Sequence, residues 1–371
     1  MSAALQSSGV PVIAPARSAA LDDAVSAIRQ GIPVLLMDAT DRKDEGYVVL
    51  AAELATARSI GWMVRYTSGL ICAPMPDGRA DELDLPSMVY ANKNPRETAF
   101  TVAVDAAEGV TTGISATDRA HTLRVLAKSD SRPSDLTRPG HVIPLRARPG
   151  GVVERPGHTE AAVDLCTIAG LPAVAAVAAI VGGGDSSSHT MASRQEVRRL
   201  GAQFDLPVLD IAELITHRLH HGDGFLPRVS RREEARLSTA YGDLISINFL
   251  DNLTGVEHTA LLGTAAPGPT PLVSIHGPCA SAGLVHSDTC ACREEFDSGL
   301  RRIASAGGVA IRIAQKNSPA LSAHSWRRED EAAGAAILAE LGLTSIRLLP
   351  GPCDPDVLAV SGIDASDDVG P

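Results

Sequence analysis

The chain has 371 residues, enough for two domains, and its hydrophobic (44%) and charged (21%) fractions are those of an ordinary globular protein. Its formal net charge of −11 at pH 7 argues against nucleic acid as a main partner, because neutralising phosphates requires a basic surface. No apolar run reaches the length of a membrane span, and the N-terminus lacks the pattern of a secretion signal. We therefore expect a cytoplasmic protein with no membrane and no nucleic-acid partner.

Helix and strand patterns alternate through residues 18–218, after a loose tail predicted over residues 1–18. Apolar residues at helical spacing alternate with short buried runs, which is typical of a sheet covered by helices. The sequence predicts helices over 21–30, 118–128, 159–169, 193–204 and 211–219, strands over 33–37, 99–105 and 207–211, a strand followed by a helix over 48–57, a strand or a helix over 174–181, and a loop over 182–188.

A polar, arginine-rich stretch then predicts a linker over residues 219–236. A second domain is expected over residues 237–350, and residues 364–371 are expected to be frayed. The chain is thus predicted to be a layered α+β or α/β protein. In the second domain the patterns predict strands near 242–250, 258–262, 272–276, 308–313 and 344–349, and helices over 293–306 and 330–341.

A guanidinium, an imidazole and a hydroxyl lie close together in the chain at Arg155, His158 and Thr159, with a proline and a glycine between them. A predicted helix follows at once. Arginine side chains and the backbone N–H groups at helix starts both bind phosphate. A second Arg-Pro-Gly-His run ends at His141. The pattern is suited to holding a phosphate together with a metal ion or an enediolate.

These segments resemble the signature of 3,4-dihydroxy-2-butanone 4-phosphate synthase, the riboflavin-pathway enzyme that removes one carbon from ribulose 5-phosphate. The resemblance covers roughly residues 18–218. It implies an α+β fold, Mg²⁺ as the cofactor, a phosphorylated sugar as the substrate, and a homodimer with its sites at the subunit interface. The segments that carry it span residues 38–46, 67–72, 99–105, 109–119, 138–148 and 155–164.

The resemblance also implies roles for individual residues. His158 matches the family's metal-binding histidine, and His141 matches a histidine needed for acid–base steps. Arg155 and Thr159 are expected to bind the phosphate. The other residues expected in the pocket are Glu45, Lys43 and Cys72, with catalytic roles, and Arg42 and Thr112, which with His158 would bind the substrate.

Three acidic residues of that family are replaced in this chain. Lys43 stands where the family has a metal-binding glutamate, Tyr47 where it has an active-site aspartate, and Ala179 where it has a catalytic glutamate. An ammonium group in place of a ligand carboxylate removes an attraction for the metal and adds a repulsion. We therefore expect Mg²⁺ to bind weakly at His158 and the parent reaction to be lost. Lys43 could itself stabilise an enediolate or carry a carbonyl as an iminium.

Residues 237–350 resemble GTP cyclohydrolase II, the partner domain of bifunctional riboflavin enzymes. The resemblance begins with Leu237–Gly242 and continues with Cys279, Cys290 and Cys292, which keep the spacing of that family's three zinc thiolates. Either a zinc ion or three buried free thiols is compatible with this pattern.

The residues that would bind GTP are missing from this second domain. Ala314–Ser322 replaces the run that contacts GTP in that family, and Ser274 replaces an arginine in the strand before the first cysteine. The segment that follows in the family is absent, because the closing helix pattern arrives too soon. We therefore expect a truncated domain without cyclohydrolase activity.

Three functions fit these observations. The first is a diverged enzyme, in specialised metabolism, that acts on ribulose 5-phosphate or a related phosphorylated ketose by enediol chemistry. The second is a genuine riboflavin-pathway synthase whose missing acids are compensated elsewhere. The third is a non-catalytic homologue that regulates the true enzyme. The retained histidines and arginines favour the first, since a decayed pocket would not keep them together.

Overall fold

The computed structural model describes residues 18–38, 45–93, 98–182, 190–220, 227–277, 279, 291–315 and 328–368. Three predicted site residues, Arg42, Lys43 and Cys290, lie outside these ranges, as do the tail over 1–17 and most of the predicted loop over 182–188. The chain divides into two compact units, one of residues 17–218 and one that contains residues 219–371.

The first unit consists of helices and strands that alternate along the chain. Most of the predicted elements are confirmed, and 174–181 forms a strand, but the single strand predicted over 99–105 is instead two short strands. The elements are α1 Ala19–Arg29, β1 Val34–Met37, β2 Gly46–Ala51, α2 Ala57–Tyr66, β3 Cys72–Pro76, α3 Asp77–Glu82, β4 Ala99–Phe100, β5 Val104–Ala106, α4 Ala116–Ala127, β6 Leu136–Ala147, α5 His158–Ile168, β7 Ala175–Ala179, α6 Arg194–Phe204, β8 Val208–Asp210 and α7 Ile211–His220.

The strands of the first unit form one mixed sheet in the order β4-β6-β3-β7-β2-β1-β8, with β5 paired to β6. Strands β3 and β6 are parallel, whereas β2 pairs antiparallel with both β1 and β7. The central strands are buried on both faces, so their sequences read as continuous apolar runs without alternation.

Helix α5 is buried along nearly its whole length, because small residues such as Ala161 and Ala162 let it pack closely on the sheet. Its first residue is His158, which contacts Tyr47 of β2 and lies 3.5 Å from Asp38, the residue after β1. Within the described residues, no helix is both long enough and apolar enough to cross a membrane.

The second unit is built on a sheet with the strand order β15-β14-β12-β13-β11-β10-β9. Apolar residues of its strands and of α9 form a core around Phe249, Ile311 and Ile337. The elements are β9 Val229–Thr239, β10 Gly242–Asp251, β11 Glu257–Gly263, β12 Leu272–His276, α8 Cys292–Ala306, β13 Gly308–Arg312, α9 Arg328–Glu340, β14 Ser345–Leu348, α10 Pro355–Val360 and β15 Asp364–Asp367.

Two predicted boundaries of the second unit are wrong. The linker predicted over 219–236 is wrong from Val229 onward, because β9 pairs with β10 from that residue. Strand β9 lies at the sheet edge with most residues exposed, so its sequence shows no apolar alternation. The frayed end predicted over 364–371 is wrong for residues 364–367, because Asp364–Asp367 pairs in parallel with β14.

Candidate functional site

His141 and Asp105 form a hydrogen-bonded pair in the first unit. Nδ1 of His141 lies 2.7 Å from Oδ2 of Asp105, and the His141 backbone N–H donates to Oδ1 at 2.9 Å. Asp105 is buried on β5, whereas 39% of the His141 side chain on β6 is exposed. A carboxylate in this position favours the tautomer with the proton on Nδ1, which leaves Nε2 able to accept a proton.

Two glycines make this close approach possible. A Cβ atom at Gly140 would lie 2.0 Å from the carbonyl carbon of Val104, so only glycine allows β6 to run this close to β5. Gly113 has a φ of +87°, and a Cβ atom there would lie 2.0 Å from Oδ2 of Asp105. Any side chain at either position would therefore displace the carboxylate that holds His141.

The loop of residues 109–115 is held by Asp118 in the first turn of α4. Thr111 donates to Asp118 from its hydroxyl at 2.7 Å and from its backbone N–H at 3.2 Å, and the N–H of Gly113 donates at 3.1 Å. The hydrogen bond from the Thr111 hydroxyl is the largest cause that lowers the pKa of Asp118. Thr112, a predicted substrate-binding residue, is exposed in this fixed loop.

Arg155 is anchored by a buried carboxylate. It donates from Nη1 to Oε2 of Glu160 at 2.5 Å and from Nη2 to the hydroxyl of Thr98 at 3.2 Å. The other oxygen of Glu160 accepts from the backbone N–H of Arg148 at 3.0 Å. Burial raises the pKa of Glu160, and the charge of Arg155 opposes this shift. The exposed 20% of the Arg155 side chain is the part that a phosphate could reach, whereas Thr159 is buried.

His158 packs against Tyr47 of β2. The two ring centroids are 3.9 Å apart, and the ring planes meet at 29°. Nε2 of His158 lies 3.5 Å from Oδ1 of Asp38, the residue that follows β1. Glu45, predicted to be catalytic, is buried next to β2, and its carbonyl oxygen accepts from the backbone N–H of Asp38 at 3.2 Å. His158 therefore lies between an aromatic ring and a carboxylate.

Cys72 begins β3 and is buried opposite Ile143 of β6. Burial raises the pKa of its thiol to about 12. The thiol is therefore protonated at neutral pH, whereas nucleophilic attack and metal binding both require the thiolate. The environment of Cys72 favours a packing role over the catalytic role predicted for it.

The described side chains around His158 do not by themselves form a site for Mg²⁺. This ion prefers several oxygen ligands in nearly octahedral geometry. Across the described residues, no three side chains of histidine, cysteine, aspartate or glutamate form a group that could hold a metal ion. Lys43, at the position that the resemblance assigns to a ligand, lies outside those residues and brings a positive charge.

In the second unit, a pocket of about 160 Å³ lies between the end of β12 and the start of α8. The thiols of Cys279 and Cys292 and the imidazole of His276 are donor types that zinc prefers, but among the described residues they do not form a group that could hold a metal ion, and Cys290 lies outside those residues. Burial lowers the pKa of His276, which keeps its imidazole neutral. The pocket is lined by His276, Gly277, Cys279, Cys292, Arg293, Phe296, Asp297 and Arg312.

Ser274 is buried on β12, and its hydroxyl makes no hydrogen bond within the part of the chain that the structure describes. Helix α8 packs closely against it, since a Cβ atom at Gly299 would lie 3.1 Å from the Ser274 Oγ atom. An arginine at position 274 would have no room in this packing. The close packing of α8 on the sheet therefore depends on a small residue such as serine at position 274.

Two family models match the chain. The model of 3,4-dihydroxy-2-butanone 4-phosphate synthase matches residues 22–217. The chain belongs to the 3,4-dihydroxy-2-butanone 4-phosphate synthase family. The model of GTP cyclohydrolase II matches residues 230–368, so the second domain begins before and ends beyond the range predicted from the sequence.

Relatives and solved structures of this family cover most of the chain. The riboflavin biosynthesis protein RibBA of Nocardia farcinica is 39% identical over 355 residues, which are 89% of this chain and 84% of that protein. RibBA of Salinispora arenicola is 41% identical over 295 residues, which are 79% of this chain and 68% of that protein. RibBX of A. baumannii, a two-domain 3,4-dihydroxy-2-butanone 4-phosphate synthase, is 30% identical with a TM-score of 0.71, covering 94% of this chain and 99% of its own. A synthase in complex with two magnesium ions is 42% identical with a TM-score of 0.53, covering 56% of this chain and 99% of its own.

Sequence reasoning about the synthase motifs found the histidines but not the acids that hold them. Asp105 and Asp38 were expected only as parts of longer matching segments, without roles. Asp118 and Glu160 orient Thr111 and Arg155, and each sits in the first turn of a helix, where acidic residues are common for local reasons. The sequence feature that could have indicated them is that each acid lies a few residues after the functional side chain that it orients.

Proposed function

We propose that the first unit binds a phosphorylated ketose such as ribulose 5-phosphate and removes a proton from the carbon beside its carbonyl. The observation that carries the proposal is the pair of His141 and Asp105, in which a buried carboxylate orients a partly exposed imidazole. Family membership supports the substrate class, since the relatives are riboflavin biosynthesis proteins and 3,4-dihydroxy-2-butanone 4-phosphate synthases.

In this proposal each retained residue has a defined task. Nε2 of His141 accepts the proton, and the carboxylate of Asp105 stabilises the imidazolium that forms. Arg155 binds the phosphate from its side chain, of which 20% is exposed. Thr112, fixed by the loop that Asp118 organises, donates a hydroxyl to the sugar.

The complete conversion to 3,4-dihydroxy-2-butanone 4-phosphate in the riboflavin pathway is the outcome that the comparisons favour. Relatives that are 37–41% identical are riboflavin biosynthesis proteins, and RibBX shows that a two-domain chain can be a 3,4-dihydroxy-2-butanone 4-phosphate synthase. Tyr47 and Ala179, at the positions of two acids, favour a rerouted product in specialised metabolism. A regulatory homologue would bind the sugar phosphate without changing it.

The cofactors and the assembly are part of the proposal. We expect weak or absent Mg²⁺ binding in the first unit, because Lys43 replaces a carboxylate. A homodimer is supported by two exposed apolar residues, Leu70 and Ile114. Arg119 of α4, the helix that follows the loop of Ile114, donates to the carbonyl of Gly69 next to Leu70 at 2.9 Å. Light scattering of the purified protein measures its assembly state.

The second unit is proposed to fold without turning over GTP. Ser274 and Ala314 stand at two positions where that family has arginine, so neither position carries a cation. The close packing of Gly299 on Ser274 supports the proposal, because it leaves little space for a larger side chain at position 274. GTP carries several negative charges, and the loss of these two arginines removes cations that would bind them.

Product analysis tests the proposal directly. Purified protein is incubated with ribulose 5-phosphate, with and without Mg²⁺, and the products are identified by mass spectrometry. Formate together with a four-carbon phosphate would establish the riboflavin reaction, and a different product would establish rerouted chemistry. Unchanged ribulose 5-phosphate under all conditions would contradict the proposal.

A further inference from the structure

Positions 47 and 179 face each other directly in the sheet of the first unit. Tyr47 on β2 and Ala179 on β7 are register partners in an antiparallel pair. Side chains of such partners leave the same face of the sheet, with Cβ atoms about 4.5–5.5 Å apart. Both residues are only partly buried, whereas most of their strands are fully buried, so this face opens toward the site.

The resemblance places a carboxylate at each of these two positions. Like charges directly opposite each other in a sheet repel, so two carboxylates there would be stabilised by a nearby cation or by a shared proton. In this chain both charges are absent, and a large ring faces a methyl group. The two replacements are complementary in size as well as in charge, because the small Ala179 leaves space above β7 for the ring of Tyr47.

The ring of Tyr47 is packed on the imidazole of His158. The centroid distance of 3.9 Å and the interplanar angle of 29° describe stacked rings. His158 also lies beside a carboxylate, because its Nε2 atom is 3.5 Å from Oδ1 of Asp38. Only 11% of the His158 side chain is exposed, so little freedom is left for the imidazole to turn toward a metal ion.

We propose that Tyr47 and Ala179 are one coupled replacement, in which the tyrosine ring occupies the space of two cross-strand carboxylates and fixes His158 beside Asp38. Tyr47 is then a positioning residue, and His158 is an ordered imidazole of the pocket instead of a metal ligand. The role of this imidazole in the pocket rests on the proposed function, whereas the coupling and the loss of metal binding do not.

The coupling has a consequence that the charge of Lys43 alone does not have. If Lys43 were the whole obstacle, Lys43→Glu would restore metal binding at His158. With the ring of Tyr47 on His158, that single change restores no more than weak binding. The carboxylates at positions 47 and 179 must return as well.

The position of the ring is tested in the full-length protein by NMR of ¹³C-labelled histidines, with the His158 signals assigned by His158→Gln. A stacked ring shifts the carbon-bound protons of His158 upfield. The shift should persist in Tyr47→Phe, which keeps the ring, and disappear in Tyr47→Leu, which keeps an apolar side chain. A His158 spectrum that is the same in the phenylalanine and leucine variants would overturn the proposal.

The metal part is tested with Mn²⁺ as the probe, by electron paramagnetic resonance on the full chain without substrate. Lys43→Glu should bind Mn²⁺ nearly as weakly as the unmodified protein. Adding Tyr47→Asp and Ala179→Glu together should tighten binding by about tenfold or more, the size of effect that supporting residues have on metal sites. Full binding in Lys43→Glu alone, or Mn²⁺ binding by the unmodified protein that His158→Gln removes, would contradict the coupling. Circular dichroism confirms that each variant is folded.

Discussion

The guanidinium of Arg155 has two roles, one in stability and one in the proposed phosphate binding. Its pairing with Glu160 neutralises a carboxylate that is completely buried, and its exposed part is proposed to bind the phosphate. A substitution at Arg155 therefore changes both stability and binding. A second substitution at Glu160 can separate the two effects, because it removes the buried charge without adding a cation.

We predict that Arg155→Ala weakens phosphate binding by about 2 kcal/mol or more, as for the loss of a charge-assisted pair. It should also lower the unfolding free energy, because Glu160 is left buried without its partner. Arg155→Ala combined with Glu160→Gln should regain stability but not affinity. Calorimetry with ribulose 5-phosphate and urea unfolding measure the two quantities, and an unchanged affinity in Arg155→Ala would refute the assignment.

Cys72 gives a prediction about reactivity at the residue scale. Its burial favours the neutral thiol and raises the pKa to about 12, so the reactive thiolate is scarce until the pH approaches that value. Alkylation by iodoacetamide at pH 8 should therefore be much slower at Cys72 than at the partly exposed Cys279. Peptide mass spectrometry over time measures both sites in the same sample, and rapid labelling of Cys72 would count against the packing role.

At the scale of elements, buried strands and amphipathic helices could be predicted because their apolar patterns follow from the core. The predicted helix over 193–204 forms almost as expected, with Ser193 as its N-cap. Edge strands such as β9 could not be predicted in this way, since neither face of β9 is buried enough to require apolar residues. The pairing of His141 with Asp105 could not be predicted either, because Asp105 lies 36 residues away in sequence and reaches His141 only through the register of β5 and β6.

Strand β9 is predicted to be essential to the second unit. Arg228, just before it, donates to the buried Asp251 at 2.8 and 3.1 Å. A fragment beginning at residue 237 would leave Asp251 without this partner and β10 without most of its neighbouring strand. Relative to a fragment beginning at residue 227, it should lose about 3 kcal/mol or more in the free energy of unfolding. Urea unfolding followed by circular dichroism compares the two, and equal midpoints would show that β9 is dispensable.

At the scale of the whole molecule, the chain joins a unit with an ordered set of site residues to a unit that we propose does not turn over GTP. Elemental analysis should find about one zinc ion per chain if the three cysteines still bind it. Neither formate nor pyrophosphate should be released from GTP. GTP turnover that disappears in Cys290→Ser would show that the second unit is a working cyclohydrolase.

The central claim is that the pair of His141 and Asp105 removes a proton from a phosphorylated ketose. In Asp105→Asn the amide can still accept from the His141 backbone, but it favours the wrong imidazole tautomer, which should cost about 10²-fold or more in rate. The deciding measurement is NMR of ribulose 5-phosphate in D₂O, which follows the exchange of the proton beside the carbonyl. The account predicts exchange or conversion with the unmodified protein and a large loss of it in Asp105→Asn. No exchange with the unmodified protein, or equal rates in the two proteins, would contradict it.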